Sequence, residues 1–364
     1  MNVCLIGDSI TSLALAKNLV NKKIKVFLYY QKSIFPSDDS RTIGISKNNL
    51  DFFNREIVKL SKKKIWKINE IEIYNYKESN EKILNFKNSQ NELFSIIKNF
   101  EIYSALENSL KNNKLFKKFL IKSDKDYDKI LDNKNFSLII NCNSNNKISK
   151  NFFKKINKSY GGFAYTTIIE HKKIKNFKAE QTFTKKGPIA FLPLSNIKTS
   201  IVFSINNETS VLNDNEIRSL ILYYNNQYEI KNFKEIKKFN LSYSTTRNYY
   251  HKNVMAFGDN LHKIHPLAGQ GFNMTLRDIK ILSNMIQSRI DLGLPLDHLI
   301  YNEFEKKTKH LNFIFSSGID FIHEFFKLDN KFNNKYSNGL LKFLGKNEYF
   351  NKLTRKYANR GLFF

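Results

Sequence analysis

Residues 254–278, VMAFGDNLHKIHPLAGQGFNMTLRD, constrain this chain more than any other stretch. Val254, Met255, Ala256 and Phe257 form a short apolar run with no polar alternation, the pattern of a strand covered on both faces. Gly258-Asp259 ends the run. Ala268-Gly269-Gln270-Gly271 then offers backbone N–H groups with few Cβ atoms in the way. From Phe272 on, the apolar positions Leu276, Ile279, Leu282, Ile286 and Ile290 recur at three- and four-residue steps, which predicts a helix. A strand, a turn with one acid, a glycine-rich loop and a helix start suit a phosphate-bearing, electron-accepting ligand. The helix start presents unpaired N–H groups and about half a positive charge. The carboxylate can accept hydrogen bonds from sugar or ribityl hydroxyls, and the glycines let backbone approach a flat ring or a diphosphate. The spacing of Gly, Asp, Pro and Asn is too particular for an ordinary connection.

The N-terminus reads as the opening βαβ unit of a dinucleotide-binding fold: a strand over residues 2–6, a turn from Gly7 to Ser12, a helix over 13–20 and a second strand over 25–29. Of the three glycines in G-x-G-x-x-G only Gly7 is present; Ser9 and Ser12 stand at the other two places. The acid expected at the end of the second strand, for an adenosine ribose, falls on Tyr30. By itself this segment is weak evidence.

The run Gly258-Asp259, His265-Pro266-Leu267-Ala268-Gly269-Gln270-Gly271, Asn273 and Arg277-Asp278 resembles the second FAD-binding motif of the class A flavin-dependent aromatic monooxygenases. Within them it is most similar to the hydroxylases of ubiquinone biosynthesis. The resemblance runs through nearly the whole chain in order, but only residues 254–278 are highly specific. It implies an α/β fold: a Rossmann-like FAD-binding domain, an inserted antiparallel-sheet substrate domain and a C-terminal helical segment. The FAD-binding domain is expected to be discontinuous, over residues 1–64, 91–155 and 251–290. Residues 65–90 and 156–250 would form the substrate sheet, and 291–364 the helical region.

The resemblance also implies site residues. Asp259 would hold the ribityl and phosphate region, beside Gly258 and Gly7. Pro266 and the loop Ala268-Gly269-Gln270-Gly271 would line the ring, Phe272 and Asn273 would also belong to the cofactor site, and the helix start would stabilise negative charge on reduced flavin. Arg41, in Arg41-Thr42-Ile43-Gly44-Ile45-Ser46, would reach the flavin's linker. On sequence alone it is equally a surface arginine opening a strand. Asn99 fits a family position within a helix read over residues 92–110. After the buried strand at 136–141, the family's Ala-Asp-Gly-type motif is replaced by Cys142-Asn143-Ser144, which puts NAD(P)H use in doubt.

Residues 160–250 show the alternation of an antiparallel sheet, at 163–169, 181–184, 189–194 and 199–205, with Gly187-Pro188 marking a turn. Phe183, Phe191, Leu192 and Pro193 are candidates for a substrate pocket, although core packing explains them equally well. A long helix is predicted over 302–327, with Phe304, Leu311, Phe315, Ile319, Ile322 and Phe326 as its core stripe. From Leu328 onward the chain is basic and aromatic, with a short helix near 339–344, and could cover the substrate entrance, touch a membrane or partner, or be solvated.

A chain of 364 residues can bury a large core. No apolar run reaches bilayer-spanning length, and no basic stretch followed by a long apolar one opens the sequence, so no signal peptide is expected. Cys4 and Cys142 sit in apolar, strand-like contexts and read as reduced core residues of a cytosolic protein. The net charge of +27 comes from lysines spread along the chain, amid many Asn, Ile, Phe and Tyr residues with AT-rich codons. No zinc spacing, RNA-binding aromatic signature or basic zipper accompanies it, so nucleic acid is not an expected partner. Attraction to an anionic membrane face suits a greasy substrate better. His262, His265 and His251 lack a further well-placed ligand, so no metal is expected.

The family resemblance therefore implies a monooxygenase using FAD, O2 and an NAD(P)H donor. It would hydroxylate a polyprenylated phenol of ubiquinone biosynthesis through a flavin hydroperoxide. The expected location is cytoplasmic, with peripheral association to the inner membrane and to other ubiquinone-biosynthesis proteins. The losses at Ser9, Ser12, Tyr30, Asn143 and Ser144 motivate an alternative: a non-catalytic relative with weak or no FAD binding, serving as a scaffold or prenyl-lipid binder. An FAD-dependent dehydrogenase or reductase is a lesser option.

Overall fold

The computed structural model describes residues 1–31, 41–76, 80–87, 92–205, 212–264 and 270–332. Its organising element is a six-stranded sheet. In spatial order the strands are Tyr250–His251, Val254–Ala256, Leu138–Asn141, Asn2–Ile6, Lys25–Tyr30 and Phe116–Leu120. The inner pairs are all parallel; only the Tyr250–His251 edge pairs antiparallel. The central strands are buried from end to end, which is why they read as unbroken apolar runs. Helices Ile10–Asn21, Asn99–Leu110 and Gln270–Asp291 contribute Leu13, Leu106 and Leu276 to the same core. The chain moves outward from Asn2–Ile6 on one side and places Leu138–Asn141 on the other. The carboxyl ends of these two strands therefore define a topological switch point, where open α/β sheets bind ligands.

A nine-stranded sheet forms the second layer. Its path runs His262–Lys263, Lys237–Thr246, Lys155–His171, Lys198–Ile205, Gly187–Ser195, Lys178–Thr184, Glu70–Tyr76 and Asn80–Lys87, with Ile230–Phe233 pairing beside Lys155–His171. One face buries Tyr165, Phe191 and Phe203 with Ile217, Ile221 and Tyr224 of the helix Asp214–Tyr224. The other face meets a three-stranded sheet of Thr42–Ser46, Phe94–Lys98 and Trp66–Ile68, through Ala179, Ile68 and Ile96 and a Thr42–Ser200 hydroxyl hydrogen bond of 2.9 Å. The long helix Leu299–Phe332 is pinned to the large sheet by Lys158 and Tyr160, which hold Asp320 at 3.0 and 2.7 Å. The fold is thus α/β: a Rossmann-like sheet, an inserted, largely antiparallel sheet in which Lys178–Thr184 pairs in parallel with Glu70–Tyr76, and a C-terminal helical segment.

Several local expectations change. The helix read over 92–110 begins only at Asn99; Phe94–Lys98 is a strand, because Phe94, Ile96 and Ile97 fit a pleated surface and pair on both sides. Trp66–Ile68 belongs to the small sheet and not to the substrate sheet. The helix Asp214–Tyr224 interrupts a region read as sheet alone. Its start is fixed by a capping box, with Glu216 N–H donating to Asn213 at 3.0 Å and Asn213 N–H to Glu216 at 2.7 Å. The hairpin turn at Gly187 uses Lys185-Lys186; Gly187, at φ +136°, closes it and Pro188 already lies in the strand. The helix predicted over 302–327 is longer at both ends, with Phe304 and Phe315 buried. The short helix expected near 339–344 lies outside the described residues.

Candidate cofactor site

The site starts at the switch point. Gly7 follows Ile6 at φ +126°, and a Cβ there would sit 3.3 Å from Asn143 N and 3.5 Å from Cys142. The positive φ and the close approach of the two strand ends both favour a bare residue at Gly7. Gly258 ends the Val254–Ala256 strand at φ +60°, and a Cβ there would meet Thr11 Cγ2 at 2.4 Å. That contact brings the turn Gly258–Asn260 directly against the start of the first helix. Asp259 projects from this turn and is exposed, whereas its neighbour Asn260 is buried.

A buried amide network missed by sequence reading holds the edge. Asn260 Nδ2 donates to Asn141 O at 3.0 Å, and Asn260 Oδ1 accepts from Ser149 Oγ at 2.8 Å. Asn141 Nδ2 donates to Asn146 Oδ1 at 3.1 Å, and Asn141 Oδ1 accepts the Asn143 N–H at 3.1 Å. The segment Cys142-Asn143-Ser144 is thereby tied back onto its own strand. Lys155 Nζ donates to Ser144 O at 3.2 Å. Burial pulls the Lys155 ammonium below the usual lysine range; Asp259 opposes this and Lys263 reinforces it. Burial, with Asp259 adding to it, pushes the Cys142 thiol well up, and burial does the same at Cys4. Both cysteines are free and buried, as inert core thiols.

The first helix start differs from a bare diphosphate cradle. Ser9 Oγ accepts the Ser12 N–H at 3.3 Å, and the Ser9 N–H donates to Ser12 Oγ at 2.8 Å. The two residues standing at the missing glycine positions close a capping box on each other.

At the edge of the three-stranded sheet, Arg41 and Asn99 are neighbours: the Asn99 N–H donates to Arg41 O at 2.9 Å. The exposed Arg41 guanidinium lies over the Phe239 ring, 4.7 Å from its centroid. Asn99 Oδ1 is buried without a hydrogen-bond partner. Asn273, in the first turn of Gln270–Asp291, is used differently. Its Oδ1 accepts the Ser46 N–H at 3.0 Å and Asn49 Nδ2 at 2.9 Å, and its Nδ2 donates to Gly44 O at 2.8 Å. It clamps the helix start to the Thr42–Ser46 strand and so positions the site. Phe272 packs edge-on to Phe53 at 6.4 Å. Among the described residues, a Cβ added at Gly271 would find Ile264 Cγ1 alone, at 3.7 Å. No acid stands in the helix's first turn, so its positive end is not neutralised from within. Pro266, Ala268 and Gly269 lie outside the described residues.

Beneath this helix sits a second network that sequence reading missed. His262 Nε2 donates to Asp278 Oδ2 at 2.8 Å, and Arg277 lies 3.2 Å from Asp278 Oδ1. Asn312, from the long helix, donates to Asp278 Oδ2 and to the Tyr249 hydroxyl at 3.2 Å each, and also binds Arg277. Burial alone would push the Asp278 carboxyl up, but Arg277 and His262 outweigh it and hold it below the usual range. His262 is thus a buried helix partner.

These residues suit a flavin dinucleotide. Two glycines at positive φ end strands at the switch point, an exposed carboxylate follows one of them, a helix with no acid in its first turn begins nearby in sequence, and the Asn99 side-chain oxygen is buried without a hydrogen-bond partner. The Squalene epoxidase family model matches residues 218–352. The solved p-nitrophenol 4-monooxygenase PnpA of Pseudomonas putida DLL-E4 superposes with a TM-score of 0.77 at 10% identity, covering 98% of this chain and 97% of that one. HpxO of Klebsiella pneumoniae, solved as a point variant in complex with FAD, gives 0.70 at 12% identity, covering 97% of each chain. The chain has the fold of the FAD-dependent monooxygenases.

Its sequence relatives carry the names of ubiquinone-related monooxygenases and hydroxylases. The ubiquinone biosynthesis monooxygenase COQ6, mitochondrial, of Dictyostelium discoideum is 25% identical over 168 residues, covering 46% of this chain and 34% of the relative. The 3-demethoxyubiquinol 3-hydroxylase of Escherichia coli is 26% identical over 149 residues, covering 39% and 38%. The matches span less than half the length of either relative.

Proposed function

We propose that this chain is an FAD-dependent aromatic hydroxylase acting on a polyprenylated phenol in ubiquinone biosynthesis. The observation that carries the reading is the pair of closely approached glycines at positive φ, Gly7 and Gly258, at the ends of two strands of the parallel sheet, with Asp259 exposed next to Gly258. Bound flavin, reduced by a nicotinamide donor, would supply the activation of dioxygen. The protein's part is positional. Asp259 accepts hydrogen bonds from the cofactor's hydroxyls, and Arg41 offers a guanidinium at the far wall. The start of Gln270–Asp291 balances negative charge on the ring, a role that needs no side-chain acid or base.

The substrate would lie between this helix start and the face of the large sheet that carries Phe239 and Ala164, an apolar wall that excludes water. Phe191 drops out as a pocket residue, because it packs against Tyr228 on the opposite face. Among the described residues no helix is long and apolar enough to cross a membrane. A net charge of +27 favours peripheral attraction to the anionic bilayer that would hold a prenylated substrate.

The test is direct. The purified protein should be yellow or take up added FAD, and should consume NAD(P)H faster when a prenylated phenol is present. Asp259→Ala should lower FAD affinity by roughly ten- to a hundredfold, the loss of one or two charge-assisted hydrogen bonds, while leaving the melting temperature unchanged because Asp259 is exposed. A colourless protein that ignores FAD would favour the scaffold reading.

A further inference from the structure

A second polar cluster sits at the carboxyl ends of Asn2–Ile6, Lys25–Tyr30 and Phe116–Leu120, and the reading above leaves it without a role. Asp8 follows Gly7 and its side chain is 8% exposed. Its Oδ1 lies 3.1 Å from Lys118 Nζ and accepts from the Tyr103 hydroxyl at 3.3 Å. Both of these contacts fall on the same carboxylate oxygen. Lys118 also reaches Glu107 Oε1 at 3.2 Å and lies over the Tyr30 ring, 4.6 Å from the centroid. Burial, with Asp8 and Glu107 adding to it, keeps Tyr103 protonated as a donor. Burial pulls Lys118 down, but Asp8 and Glu107 outweigh it, so it stays an ammonium.

The chemistry is that of a diol reader. A carboxylate fixed through one oxygen by a tyrosine hydroxyl and an ammonium keeps its second oxygen for an incoming hydroxyl. It stands beside Tyr30, the residue at the strand end where an acid would ordinarily meet an adenosine ribose. We propose that Asp8, held in place by Tyr103 and Lys118, accepts the ribose hydroxyls of the adenosine half of FAD. The acid has moved from the end of the second strand to the turn after the first. This rests on the flavin reading above.

The experiment compares FAD with FMN, which shares the ring, the ribityl chain and one phosphate but lacks the adenosine. Affinities are read by flavin fluorescence for the wild type, Asp8→Asn and Lys118→Met, with thermal midpoints as the control for folding. The expected result is a roughly tenfold weaker FAD affinity in both variants with FMN affinity unchanged. If Asp8→Asn does not fold, the FAD-to-FMN ratio of Lys118→Met decides. An unchanged ratio, equal losses for both flavins, or tighter FAD binding on removing the charge would overturn this inference while leaving the flavin reading intact. A wild type that binds neither flavin would overturn both.

Discussion

Gly258→Ala tests whether the turn ahead of Asp259 is built on close approach. Two costs can be worked from the structure. At φ +60° an alanine occupies the left-handed region, at about 1–2 kcal/mol. Its Cβ would also lie 2.4 Å from Thr11 Cγ2 and 3.2 Å from Thr11 Cβ and Oγ1. Thr11 is β-branched, 6% exposed and in the first turn of a helix, so the clash moves backbone as well as side chain, at about 1–3 kcal/mol. The sum is about 2–5 kcal/mol. Thr11→Ala removes Cγ2 and Oγ1, and in that background only the backbone cost should remain, about 1–2 kcal/mol. The assay is urea denaturation followed by far-ultraviolet circular dichroism on the wild type, both single variants and the double variant. A coupling of about 1–3 kcal/mol between the two sites is expected. Strictly additive losses, or a Gly258→Ala protein as stable as the wild type, would refute the contact on which the site geometry depends.

Two further predictions separate structural from binding roles. Gly271→Ala meets no described side chain closer than 3.7 Å and adds a better helix former, so stability should hold or rise by up to about 1 kcal/mol. FAD affinity should nonetheless fall, measured by fluorescence titration; a parallel loss of stability would make the glycine a packing residue. For Asp278, the folded carboxyl titrates below its unfolded value of about 3.9, so its contribution is complete above that pH and is lost as pH falls through the lower folded value. Asp278→Asn should therefore cost about 3–5 kcal/mol near neutrality, with the gap to wild type closing below about pH 4 in pH-dependent melts.

Much of the fold can be read directly because the relevant signals are local. The buried strands announce themselves as unbroken apolar runs, and the helix after Gly271 by its periodicity. The errors have physical causes too. Residues 94–98 pass as helix in isolation, and only pairing with Thr42–Ser46 and Trp66–Ile68, both distant in sequence, makes them a strand. The Asn213–Glu216 box is a local signal, but the strand alternation around it hides the helix it opens. At the candidate site, the positions of Gly7 and Gly258 at strand ends are local features, marked by the apolar runs that precede them. The role of Asn273 is not local: its amide would suit a cofactor, and only the tertiary structure shows it spent on Gly44, Ser46 and Asn49. The Asp278 network joins His262, Arg277, Asn312 and Tyr249 from separate elements, and no short-range pattern could have linked them.

The departures from the family pattern fall on one half of the crevice. Ser9 and Ser12 satisfy each other, stabilising the helix start by about 1 kcal/mol while occupying N–H groups a diphosphate would otherwise use. Tyr30 replaces an acid and stacks under Lys118. Asn143 is folded back onto Asn141. In contrast, on the proposed reading Gly258, Asp259, Gly271 and the helix start clamped by Asn273 would serve the ring end. A ligand's two halves would then be held unequally, with the adenosine end depending on the Asp8–Lys118 pair instead of on a bare glycine turn. The FAD-to-FMN affinity ratio measures that inequality, and its size tells how far the first motif has been rebuilt and how far it has merely been lost.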